Sequence, residues 1–418
     1  MLSTAELAEF VADVSYDRLP NDVREATKRR ILDAVGVSIH TRHADAAATV
    51  RRAMAVDGFD APGAVRLWGS SETTSTTRAA MVHATSIAAG NGPTFLSPTP
   101  APVGGSIAAV LAAADARNEP GEEILAGLAG ALELHGELAW NVPLDEFHPA
   151  THTAIAAAAG AGRTIGFGTS VLDNAIGAAA SRATLGLDGE TFSAISAGAA
   201  ARSGIDACLL AEGGFDSSDP ITAENGWHDL VGPFDFDLDP GCERVRDAAI
   251  LPYDGLPSEH PAIDAAISIA EAVPLDPAEI EAVTVETTAP AAESIDPARL
   301  ATALVDRELP TFNAVRSDVE PIAASVTIRT ENANTDFDAS SGEFPLRLVV
   351  ETRDGTEHER TVERFDGHPE TPASWGTVEE KFRTLAGGTY GEDRLDAIVE
   401  TVRRFEAESA NELVRLLD

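Results

Sequence analysis

Leu7, Phe10, Val11 and Val14 fall on one side of a helix, so the spacing predicts a helix over Thr4–Val14. In LPNDVREATKRRILDAVGVSIH, Pro20 leads into a second amphipathic run, where Val23, Thr27, Ile31, Ala34 and Val35 repeat at the same period. Further helices are predicted at Arg78–Ala89, Ser106–Arg117, Glu122–Trp140, Thr151–Ile165, Ser170–Gly186 and Ser196–Ala211, separated by Gly, Pro and Asp stretches. Small residues dominate these runs, so their axes can approach closely. The texture changes after Gly241. EIEAVTVETT (Glu279–Thr288), PIAASVTIRTE (Pro321–Glu331) and FPLRLVVETRDGTEHERTVERF (Phe344–Phe365) alternate apolar and polar positions, and Asp354-Gly355 supplies hairpin turn chemistry. Helical spacing returns from Thr377 to the end. The pattern predicts a mainly α protein with a smaller α+β domain: an all-helical bundle domain over 1–245, an α+β lid domain over 246–375, and C-terminal helices over 376–418 that return to one of the two.

Composition sharpens this picture. Apolar residues make up 44 % of the 418, yet aromatic residues only 5 %, so the core is expected to be Ala, Val, Leu and Ile. Charge changes it further: 68 Asp and Glu oppose 30 Lys and Arg, a formal net charge of −38, and Lys28 and Lys381 are the only lysines. Such a chain has no basic face for nucleic acid. The acidic residues are spread along the chain, which points to the solvated surface of a protein from a salt-rich cytosol rather than to an acidic tail. Cys208 and Cys242 are too few for a disulfide framework or a thiolate cluster. No signal peptide and no apolar run of about 18 residues is evident, so a soluble cytoplasmic protein is expected.

The candidate chemistry centres on FHPATH. His148 precedes Pro149 at the start of a predicted helix, where the positive helix end disfavours the imidazolium and leaves a neutral ring able to donate or accept. His152 lies one turn further. The two could hold a metal, act as acid and base, or pack; HPATH lacks the glutamate of the zinc-protease pattern, and no metal is expected. GAGRTIG (Gly160–Gly166) reads as the end of the same helix, not as a dinucleotide loop. His260-Pro261 repeats the His-Pro start before another apolar helix, and capping alone would explain it. His83 and His135 lie inside helical runs and are expected to be satisfied interior rings.

Taken together, LPNDVREATKRRILDAVGVSI, FHPATHTAIAAAAGAGRTIG, SAGAAARSGIDACLLAEGGFDSSDPITAENGW, HPAIDA and GHPETPASWGTVEEKFRTLA resemble the MmgE/PrpD family in sequence and in order. That family includes 2-methylcitrate dehydratase, cis-aconitate decarboxylase and iminodisuccinate epimerase. The resemblance implies a helical bundle domain, a smaller α+β lid domain and a homodimer. It also implies proton abstraction or delivery beside a carboxylate of a small di- or tricarboxylate, without metal or organic cofactor. His148 matches the family histidine before the long Ala-rich helix. Elsewhere this chain departs: the His-x-x-Asp-x-Asp-Asp run becomes Ala88 to Thr94 with Asn91 at the first aspartate, and the later loop histidine falls at Ala101. The family's two lysines fall near Ser193 and Leu251, its neighbouring histidine at Ser196, and its tyrosine near Ala298.

Two readings follow. One is a lyase or isomerase with His148 as acid/base and with Arg202, Asn91 and His260 as substrate-binding residues. The other is a non-catalytic binding or partner subunit of the same fold.

The charge balance makes a direct prediction. Thermal unfolding should occur at a much lower temperature in 0.1 M KCl than in about 2–3 M KCl, because the screening length grows roughly threefold between 1 M and 0.1 M. Equal midpoints across that range would refute it.

Overall fold

Helices made of small residues bury surface by close approach, since few long side chains hold their axes apart. The computed structural model describes residues 2–56, 65–142, 144, 147–184, 189–253, 255–273, 275–306, 319–330 and 342–418. It divides into two compact units, one of Met1–Phe95, Pro100–Ile250 and Trp375–Asp418, the other of Leu96–Thr99 and Leu251–Ser374.

In chain order the helices are α1 (Thr4–Asp13), α2 (Asn21–His40), α3 (Asp45–Val56), α4 (Thr76–Ala88), α5 (Gly104–Arg117), α6 (Gly121–Asn141), α7 (Ala150–Thr164), α8 (Thr169–Ala180), α9 (Glu190–Glu212) and α10 (Trp227–Val231). Then follow α11 (His260–Ala272), α12 (Ala289–Ser294), α13 (Pro297–Asp306), α14 (Glu320–Ala323), α15 (Trp375–Ala386), α16 (Glu392–Arg403) and α17 (Ala410–Leu416). The strands are β1 (Val65–Arg66), β2 (Thr73–Thr74), β3 (Thr94–Phe95), β4 (Ala101–Pro102), β5 (Ala248–Ala249), β6 (Ile280–Thr287), β7 (Val326–Thr330), β8 (Leu346–Thr352) and β9 (Glu357–Val362). The protein is mainly α with a smaller α+β part.

In the first unit, α7 lies against α5, α6, α8 and α9. The approach is tight where glycine allows it: a Cβ on Gly160 would stand 2.5 Å from the Ala131 Cβ, and one on Gly204 would stand 2.6 Å from the Ala157 Cβ. Either methyl would force α7 away from its neighbour. A buried cluster of Leu7, Val11, Leu134, Leu138, Ile155, Leu172 and Ile176 fills the space beside these contacts. This unit also carries two small sheets that the helical periodicity does not predict, the pair β1-β2 and the three-stranded β4-β3-β5.

Three predicted boundaries need correction, one of them in the second unit, where Glu320–Ala323 form α14 and β7 starts at Val326 instead of Pro321. Helix α8 stops at Ala180, where the Ala180 carbonyl accepts the Trp227 indole N–H at 2.7 Å; the predicted end at Gly186 lies outside the described residues. Helix α9 starts at Glu190, six residues before the predicted Ser196, so it includes Ser193.

In the second unit the sheet order is β7-β6-β8-β9, with β6 and β7 parallel and the other pairs antiparallel. Val283, Val285, Leu346, Leu348 and Val350 alternate inward, one face of the pleat, against Ile263, Ala266, Leu300 and Leu304 of α11 and α13. The β8-β9 hairpin turns at Asp354-Gly355, with Gly355 at φ 83° and the Asp354 carboxylate accepting the Thr356 N–H at 3.0 Å. Glu331, the last residue of the second predicted strand segment, lies outside the described residues.

Both lysines join the C-terminal helices to α2. Lys28 Nζ reaches Glu25 at 3.0 Å, Glu406 at 2.6 Å and the Arg403 carbonyl at 2.9 Å. Lys381, on α15, reaches Asp33 of α2 at 2.6 Å and the Asn91 carbonyl at 3.1 Å. Their side chains are 3 % and 4 % exposed. A compact ammonium with three donors suits such pockets, where a planar guanidinium would need a wider slot. Burial pushes the Asp33 carboxyl above its usual range, opposed by the Lys381 ammonium.

This arrangement predicts that an amine-reactive ester leaves both lysines of the folded protein unmodified and labels them after unfolding. Lys381→Met should cost about 3–5 kcal/mol, because it leaves Asp33 as an unpaired buried charge. Rapid labelling of either lysine in the folded state would contradict the staple.

Candidate active site

Pro149 sets the turn into α7, and the segment before it runs beside the chain that follows α8. The His148 N–H donates to the Thr184 carbonyl at 2.7 Å, while the Thr184 N–H donates back to Thr151 Oγ1 at 2.9 Å. These bonds hold the backbone on both sides of the ring.

The ring itself is half-buried and makes two hydrogen bonds. Nδ1 accepts the Ala150 N–H at 3.0 Å, and Nε2 lies 2.9 Å from Ser193 Oγ on α9. A backbone N–H only donates, so Nδ1 carries no proton; in the neutral ring the proton is on Nε2 and points at Ser193. Burial lowers the His148 pKa from its ordinary value, which keeps that neutral form at pH 7. Phe192 closes another side, with its ring edge-on at 6.5 Å between centroids. A cavity of about 290 Å³ opens nearby, lined in part by Phe147, Arg182, Trp227 and Leu230.

His152 does not share this setting. It is buried, 6.4 Å by ring centroid from both His135 and Trp227, and its Nε2 has no partner. His135 accepts or donates one bond with Ser106 at 3.2 Å, and its Nε2 also stands alone. His83 stacks on Trp68 at 3.8 Å and meets the Arg66 carbonyl at 3.2 Å, leaving Nδ1 unpartnered. The expectation of satisfied interior histidines is met in part: His83 and His135 are buried and each makes one hydrogen bond, while the second ring nitrogen has no partner among the described residues. Among the described residues no three His, Cys, Asp or Glu side chains gather as a metal would need.

The other expected site residues fall elsewhere. Arg202 lies nine residues after Ser193 on α9, about half a turn round the helix and roughly 13 Å along it, so it faces away from His148. It is exposed and pairs with Asp206 at 3.5 Å. Asn91 lies in the turn after α4, its carbonyl held by Lys381. Lys381, far away in sequence, is thus next to the very loop in which the resemblance places an aspartate. His260 belongs to the other unit and is fully buried; its ring nitrogens face the Leu256 and Tyr253 carbonyls at 3.0 and 3.2 Å, and its ring meets those of Tyr253 and Phe365 at a tilt, 5.6 and 5.1 Å by centroid. It secures the start of α11. Sequence reasoning missed Ser193 as the partner of His148; the only signal was its position where the resemblance expects a lysine.

Residues 5–237 match the MmgE/PrpD N-terminal domain and residues 307–407 the MmgE/PrpD C-terminal domain. The chain belongs to the MmgE/PrpD family. No curated protein matches it. Among the described residues no helix is long and apolar enough to cross a membrane.

The buried rings predict how stability depends on pH. An unfolded histidine titrates near 6.5, whereas burial pushes His135 down to about 4 and His152 well below its ordinary value. Between those values the unfolded chain binds more protons, so this stability is present above pH 6.5 and is lost as pH falls towards about 4. His135→Asn removes that titration, so its stability deficit against wild type should shrink by about 2–3 kcal/mol between pH 7 and 4.5. A deficit constant over that range, read from denaturant midpoints in high salt, would contradict the assignment.

Proposed function

We propose that the protein is a cytoplasmic, homodimeric lyase or isomerase of this family, acting on a small di- or tricarboxylate by metal-free acid/base chemistry at His148, with residues 246–375 as its lid. The observation that carries the reading is the His148 ring: neutral, half-buried, fixed by the Ala150 N–H and turned to Ser193 at 2.9 Å. A neutral imidazole whose Nε2–H points at Ser193 stabilises, through that hydroxyl, negative charge as it grows on a substrate oxygen, as an enediolate or carboxylate would require. Of the remaining binding positions, Asn91 stays with the proposal, whereas the pairing of exposed Arg202 with Asp206 and the burial of His260 on backbone carbonyls lend theirs no support.

A second reading, a binding or partner subunit, draws support from specific residues. Lys28 and Lys381 are both engaged in buried ion pairs. Ala101, Leu251 and Ala298 stand where the resemblance expects a histidine, a lysine and a tyrosine. General acid/base groups contribute typically 10²–10⁴-fold, so a histidine without those partners would be a slow catalyst.

One experiment separates the two. The protein is incubated in D2O and molar KCl with small di- and tricarboxylates, and exchange or conversion at the carbon beside the carboxylate is followed by NMR. The enzyme reading expects deuterium incorporation or product, retained after dialysis against a chelator and reduced roughly 10²–10⁴-fold in His148→Ala. Ligands that raise the melting temperature yet never exchange would favour the binding subunit. Loss of turnover on chelation would overturn the metal-free mechanism.

A further inference from the structure

The hydrogen bonds around His148 have one direction only. The Ala150 N–H must donate to Nδ1, so Nε2 must carry the ring proton and donate to Ser193 Oγ. The hydroxyl accepts that bond with a lone pair, and its own hydrogen is free to point elsewhere. Ser193 is half-buried on the first turn of α9, and Phe192 beside it covers the ring edge.

We infer that Ser193 presents a hydrogen bond to the ligand beside the acid/base His148, the two forming in the resting protein a donor chain from Ala150 N–H through the imidazole to an outward Ser193 Oγ–H. Each bond in such a chain polarises the next, so the hydroxyl is a better donor than an isolated serine. What it selects is an oxygen acceptor, a carboxylate or a carbonyl oxygen becoming an enolate. In this resting arrangement the chain donates hydrogen bonds. A serine nucleophile is ruled out by the same geometry, because a base for Ser193 would need a bare Nε2 and this ring has its bare nitrogen at Nδ1. The ring is also held neutral by burial. The inference deepens the carboxylate reading above and rests on it for the class of ligand, while the donor chain rests on geometry alone.

The test therefore has two arms. In protein labelled with 15N-histidine, and with the His148 signals assigned by their loss in His148→Ala, the ring should show a proton on Nε2 and a bare Nδ1 at neutral pH. Ser193→Ala should shift the Nε2–H proton and leave Nδ1 unchanged. A proton on Nδ1, an imidazolium at pH 7, or an Nε2–H indifferent to Ser193→Ala overturns the chain. In the second arm, calorimetry with succinate and citrate in molar KCl should show binding weakened about five- to tenfold in Ser193→Ala, the loss of one hydrogen bond. Ser193→Thr, which keeps the hydroxyl, and His148→Gln, whose amide can still donate from the Nε2 place, should bind more tightly than the alanine variants. Equal binding by wild type and Ser193→Ala overturns the role of Ser193. If wild type binds neither acid, the carboxylate reading fails, and the ring tautomer by itself decides for or against the donor chain.

Discussion

Helices α7 and α9 lie so close that a single methyl would separate them, and the candidate site depends on that separation. A Cβ at Gly204 would stand 2.6 Å from the Ala157 Cβ and 2.9 Å from the Ala154 carbonyl, well inside van der Waals contact. His148 leads into α7 and Ser193 lies in the first turns of α9, so their 2.9 Å contact is set by how the two helices meet further along. The low aromatic content is the sequence-level cause: alanine and glycine give little area per residue, and burial is recovered by bringing backbones together.

Electrostatics supplies a second constraint on the first unit. In a chain with net charge −38, cations are scarce, and nearly all of them are arginine. The two lysines are placed where α2 meets the returning C-terminal segment, with Lys28 on Glu406 and Lys381 on Asp33. Trp375 adds a neutral contact to the same seam, its indole N–H donating to Glu25 at 2.8 Å. Through the Asn91 carbonyl, Lys381 also fixes the turn after α4. A chain of net charge −38 thus depends inside on a few buried ion pairs that salt screens little.

Much of this was legible in the sequence, and the exceptions have physical causes. The periodic runs for α2, α4, α5, α6 and α7 agree with the structure to within two residues, because an apolar stripe at helical period is what burial on one face requires. Helix α9 was predicted to start too late. Thr191, Phe192 and Ser193 are weak helix formers behind Gly189, and tertiary contact overrides their propensity. That late start hid Ser193. His148 was legible from His-Pro before an alanine run, since the helix start fixes its setting locally. Its partner lies 45 residues away, and no local pattern distinguishes one serine from another. Lys381 was equally hidden, because its contacts with Asp33 and Asn91 join segments about 290 or more residues apart in the chain.

The central claim is that α7 and α9 hold His148 and Ser193 in one coupled pair, and a double-mutant cycle tests it most directly. Unfolding free energies in molar KCl for wild type, His148→Ala, Ser193→Ala and the double variant should give a coupling energy of about 0.5–1.5 kcal/mol, that of a half-buried hydrogen bond. Strictly additive losses would mean that the two side chains do not interact in solution, and the account of the site built on them would fall.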